Sequence, residues 1–181
     1  MRALRPAALF AALVGLAGCG GTPEGPLADH VHRTFVHGPV AVGQPWTWGI
    51  VVLMNPTRRR IMLDRVELVD RTRGLRVLRI QTAGVRRGTT IGSAYGFPKL
   101  RDLHPLRGTV VAKRGTPGTE ILVTVAAPRV GVFGFHGIRI DYHSGGHRYS
   151  TVLGHGAGIC APRFIIDCDA RLKRAGIDTV G

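Results

Sequence analysis

The chain has 181 residues, with 25 Lys and Arg against 11 Asp and Glu, a formal charge of +14 at pH 7. That length suits one domain with a real core plus a tether. The charge would suit nucleic acid, but no nucleic-acid-binding motif is present, and the N-terminal apolar run is shorter than the roughly 20 residues a membrane-spanning helix needs.

Met1 to Arg5 is basic, and Ala7 to Ala17 is a run of apolar and small residues. Together they have the form of a signal peptide. Leu16-Ala17-Gly18-Cys19 closes the run. This stretch resembles the lipobox of bacterial lipoproteins. The resemblance implies cleavage before Cys19, a diacylglyceryl group on its thiol, and an extracytoplasmic chain held at the cell membrane. Two acyl chains suffice for stable anchoring, whereas one gives only marginal attachment. An ordinary secretory signal with an incidental cysteine is the rival reading.

Cleavage would leave 163 residues, with 23 basic against 11 acidic, or +12. An exported basic domain is drawn to anionic headgroups and acidic wall polymers. The Arg, Gly, Ala and Val usage also fits a GC-rich genome, which would supply part of the bias.

We therefore divide the chain into a signal (1–18), a lipidated cysteine and tether (19–45), a β-sandwich (46–160) and a tail (161–181). The tether opens on Gly20-Gly21-Thr22-Pro23, a composition that builds no element interior. As a coil, residues 20–35 would span roughly 20 Å.

Trp46 to Asn55 reads as a strand closed by Asn55-Pro56, with Arg58, Arg59 and Arg60 in or after the turn. Those arginines are candidate contacts for an anionic surface; a solvated face is the plainer reading. Ile61 to Val69 alternates with a slip between Leu63 and Val66, as at a bulge. A short helix is the alternative there. Leu75 to Thr82 is a third strand. Gly84 to Leu106 has no sustained period and reads as a long connection, either a variable insertion or a binding surface. Gly108 to Lys113 is a short strand. Glu120 to Ala127 is apolar or neutral on both faces, so it is central. Gly137 to His143 and His147 to Leu153 form a hairpin about Ser144-Gly145-Gly146.

About seven strands without a long helix indicate an all-β, antiparallel sandwich. The approach from Gly137 to Tyr142 resembles immunoglobulin-like domains at the level of pattern. The whole chain is similar to the small lipoproteins of GC-rich Gram-positive bacteria that carry one β-sandwich behind a lipobox. That likeness brings no activity with it.

Cys160 and Cys168 form one candidate disulfide, closing a short loop. Free thiols or thiolate metal ligands are the alternatives. His143 and His147 would face each other across a three-residue turn, with His155 or the N-terminal group as a third Zn or Cu ligand. Solvated histidines are the plainer reading, since no spacing matches a metal signature. Gly154 to Gly158 looks like a glycine-rich loop but lacks the Lys-Ser/Thr of a phosphate loop. Gly92 to Gly96 is not a nucleophile elbow. The expectation is a lipid-anchored, non-catalytic envelope module without cofactor. Its partners would be the membrane and an anionic wall polymer or another envelope protein, not nucleic acid. Envelope Cu/Zn binding is the alternative.

Overall fold

The structure, a computed structural model, describes residues 25–27, 34–85, 90–113, 116 and 118–177. The signal, Cys19 and His30 and His32 of the tether lie outside them. In chain order the strands are β1 (Thr34–Pro39), β2 (Trp46–Leu53), β3 (Ile61–Val69), β4 (Arg76–Gly84), β5 (Gly92–Tyr95), β6 (Leu103–Pro105), β7 (Thr119–Ala126), β8 (Gly131–Phe135), β9 (Gly137–Ser144), β10 (His147–Leu153) and β11 (His155–Ala161). One helix, α1 (Cys168–Arg174), follows.

The fold is an all-β sandwich. One sheet has the order β5-β2-β7-β4-β6, which puts β7 at its centre. All eight β7 residues are buried, as two apolar or neutral faces require. Two three-stranded sheets, β1-β11-β8 and β10-β9-β3, complete the sandwich. Only His136 separates β8 from β9, and only Gly154 separates β10 from β11. The two small sheets are therefore stages of one long hairpin, bent where Gly137 crosses Leu153. A Cβ on Gly137 would stand 2.5 Å from the Leu153 carbonyl oxygen. Trp48 of β2 meets Phe135 of β8 edge to face at 5.3 Å, joining the layers. Ile121, Leu63, Ile138 and Ile140 fill the core beside them.

Several expected features are present. The slip in Ile61–Val69 is a bulge between Leu63 and Arg65 in the pairing with β9. The hairpin turn is there, but β9 and β10 pair Ser144 with His147, so the connection is the two residues Gly145-Gly146, both at positive φ.

Other expectations are corrected. The described strands number eleven rather than about seven. Packing begins well before Trp46: β1 pairs in parallel with β11 from Thr34↔His155 to Pro39↔Cys160, and Leu27 is buried. Gly84–Leu106 is not one plain connection, since β5 and β6 close the two edges of the five-stranded sheet. Gly108–Lys113 is an irregular run beside β3, bonded through Leu63 N to Thr109 O at 2.9 Å and Val111 N to Ile61 O at 3.0 Å. Gly154–Gly158 belongs mostly to the wholly buried β11. Its glycines leave a flat floor: a Cβ at Gly158 would lie 2.8 Å from Leu172 Cδ2 of α1 and 2.9 Å from Phe35 Cζ. The helix lies on this floor, with basic Arg171, Lys173 and Arg174 in its last turn, where the helix dipole favours cations.

Candidate functional site

A surface groove of about 790 Å³ is lined by residues of β3, β9 and β10 together with Arg107 and Gly146 of the hairpin turn. Strand alternation builds it. On β9, Ile138, Ile140 and Tyr142 point inward and are fully buried. Asp141 and His143 therefore point outward, opposite Ser150 and Arg148 of β10. The β3 bulge adds Asp64 and Arg65 from the neighbouring strand.

The polar side chains here are partly committed. His143 Nδ1 lies 2.9 and 3.0 Å from the two Asp64 carboxylate oxygens. Ser150 Oγ donates to Asp141 at 2.7 Å. Arg65 pairs with Glu67. Arg107 and Arg148 also line the groove. The groove thus collects Ser, His and Asp, but the serine hydroxyl is spent on Asp141, and no Ser150–His143 hydrogen bond exists among the described residues. A nucleophile needs its base within hydrogen-bond reach.

A basic loop flanks the groove. Asn55 is fully buried. Its Oδ1 accepts from Thr57 N at 2.9 Å and from Thr57 Oγ1 at 2.8 Å, and its Nδ2 donates to the Arg59 carbonyl at 2.6 Å. This knot turns the chain and leaves Arg58, Arg59 and Arg60 exposed. The Arg59 side chain lies against the hairpin tip, its Nη1 3.0 Å from where a Gly145 Cβ would be. Arg59 and Arg148 therefore sit at the same end of the long hairpin.

The three hairpin histidines do not converge. His143 pairs with Arg148, and His147 pairs with Ser144, so their side chains leave opposite faces. His147 lies beside Tyr149, ring centroids 6.4 Å apart. His155 is buried on β11, where its Nδ1 is 2.6 Å from Thr34 Oγ1. No group of three or more His, Cys, Asp or Glu able to hold a metal occurs among the described residues. The alternative reading of His143, His147 and His155 as one metal site is corrected accordingly. The cysteines do meet: Cys160 and Cys168 are disulfide-bonded across the loop before α1.

One buried acid was passed over in the sequence. Glu120, in the central strand, is almost fully buried. Its Oε1 accepts the Ile91 backbone N–H at 2.8 Å and faces a cavity of about 250 Å³ shared with Lys99, Arg101 and Asp102. Burial pushes its carboxyl above the ordinary range, against the opposing pull of hydrogen bonds from the Ile91 and Gly92 backbone. The signal was legible as a lone acid opening an otherwise apolar run. Tyr142 is shifted the same way, chiefly by burial, although its hydroxyl receives the Leu27 N–H at 3.0 Å.

No protein-family model matches the chain, and no curated protein matches it.

Proposed function

We propose that the chain is an exported, lipid-anchored and non-catalytic envelope protein whose sandwich binds an anionic partner through its arginine-rich hairpin end. The observation that carries the anchor is Leu16-Ala17-Gly18-Cys19 behind a basic, then apolar, N-terminus. The Cys160–Cys168 disulfide agrees with an oxidising compartment. The binding face is supported by Arg107 and Arg148 in the groove and by the Asn55 knot that presents Arg58, Arg59 and Arg60 beside it. An acidic wall polymer, with repeating charges, is the partner such a spread of guanidinium groups fits.

The anchor is tested by feeding an expressing bacterium an alkyne-bearing fatty acid. The wild-type chain should take up label and sediment with membranes, while Cys19→Ala should remain uncut and unlabelled. Equal labelling of both, or labelling of neither, removes the lipoprotein reading. The binding face is tested with poly(glycerol phosphate). Arg59→Glu/Arg148→Glu should weaken binding about tenfold or more, and added salt should weaken the wild type, as screened charges require. An unaltered isotherm would assign the arginines to a solvated face.

A further inference from the structure

The end of the long hairpin opposite Gly145-Gly146 has a different surface. Four loops meet there. Val40 N donates to Cys160 O at 2.8 Å, and Gly43 N donates to Ala127 O at 2.8 Å. Gly131 pairs with Ala161, and Gly96 N donates to Pro45 O at 2.7 Å. The Arg163 guanidinium then stands 5.1 Å from the Tyr95 ring centroid, joining the disulfide loop to the edge of the large sheet.

These loops carry apolar side chains into solvent. Phe164 is 91% exposed, Ile166 77% and Val130 65%. Val42, Tyr95 and Phe97 add three more, each more than two-fifths exposed. Single exposed apolar residues need no explanation, whereas a cluster marks a contact surface. The loop bearing Phe164 and Ile166 is held at both ends by the Cys160–Cys168 disulfide, with Leu172 of α1 buried behind it. It is thus braced outward.

We propose that this end docks on an anionic lipid bilayer, with Phe164, Ile166 and Val130 entering the interface. Cations sit where headgroups would be: Arg129 precedes Val130, Arg163 precedes Phe164, and Arg79 lies 4.7 Å over the Phe97 ring. Asp167 is the acid within the disulfide loop. Apolar tips ringed by arginine are what an anionic interface attracts. The surface stands on the exposed loops and does not depend on lipid at Cys19. Gly25 packs at the other end, where a Cβ would meet Tyr142 and Tyr149.

The test uses the full chain carrying Phe164→Trp. Trp46 and Trp48 are buried, so the added indole reports locally even if the N-terminus also meets lipid. Vesicles of phosphatidylcholine mixed with phosphatidylglycerol should shift its emission to the blue, and brominated acyl chains should quench it. Adding Arg129→Glu/Arg163→Glu should raise the lipid needed by about tenfold. Cys19→Ala should leave the shift in place, which separates this docking from the anchor. Emission that stays at its aqueous position while the chain floats with the vesicles overturns the proposal. So does a blue shift that grows with protein concentration in the absence of lipid, which would assign the end to a second copy of the chain.

Discussion

Glu120 sets the clearest expectation at the scale of a single residue. Its folded carboxyl is raised above its unfolded value by burial. The neutral acid is therefore the form the fold prefers, and its contribution is full below the unfolded value. That contribution is lost as pH rises through the folded value. Glu120→Gln keeps an oxygen for the Ile91 N–H and cannot ionise. Urea midpoints should thus separate with rising pH from about 4.5 upward, the wild type declining relative to the variant. A wild type that gains on the variant as pH rises would show that the Ile91 and Gly92 bonds outweigh desolvation. Gly49 keeps the space open beside this carboxyl. A Cβ there would meet Leu122 Cδ2 at 2.4 Å and Glu120 Oε1 at 2.8 Å, so Gly49→Ala should cost about 1–3 kcal/mol of unfolding free energy.

Among the elements, β11 depends on the absence of side chains. At Gly156 an added Cβ would lie 2.6 Å from the Phe135 carbonyl oxygen, part of the backbone of the paired strand. At Gly158 the nearest obstacles are the ends of Leu172 and Phe35, which can rotate. Gly156→Ala should therefore reach or pass the top of the usual overpacking cost of about 1–3 kcal/mol, and Gly158→Ala should stay near its lower end. Equal losses would mean that the helix, not the strand, limits the site. Reduction of Cys160–Cys168 should lower unfolding free energy by about 2.5 kcal/mol on the chain-entropy estimate for so short a loop. These same features explain what the sequence disclosed. β7, β9 and β10 were legible because they are alternating or continuous runs of β-branched and apolar residues. β11 was not, because Gly154, Gly156 and Gly158 read as a loop until Phe35 and α1 are seen to need the floor. β1 carries Gly38-Pro39 and finds its partner more than a hundred residues away, which no local pattern marks. The groove was only partly legible: His143 was named as a candidate but Arg107 and Arg148 were not, and a turn one residue shorter than expected moves His147 to the opposite face from His143.

For the whole molecule, the decisive boundary is where the sandwich begins. Composition places it at Trp46, whereas the parallel ladder of β1 with β11 places it at or before Thr34. The difference has a measurable size. A chain starting at Trp46 lacks Val40, which is fully buried, and Leu27, which is 6% exposed. Each such side chain contributes roughly 1.5–3 kcal/mol by burial. It also lacks the six residues of β1 and so leaves one edge of β11 unpaired. Against a typical total of about 5–15 kcal/mol, that loss is enough to unfold the domain, and an open apolar edge invites association with other chains. A chain starting at Gly25 retains every one of these contacts. It should elute as a compact species with a single cooperative urea transition, whereas the chain starting at Trp46 should be insoluble or melt without cooperativity. Two chains with the same urea midpoint would mean that β1 is an accessory strand laid on a finished sandwich, and would return the boundary to Trp46.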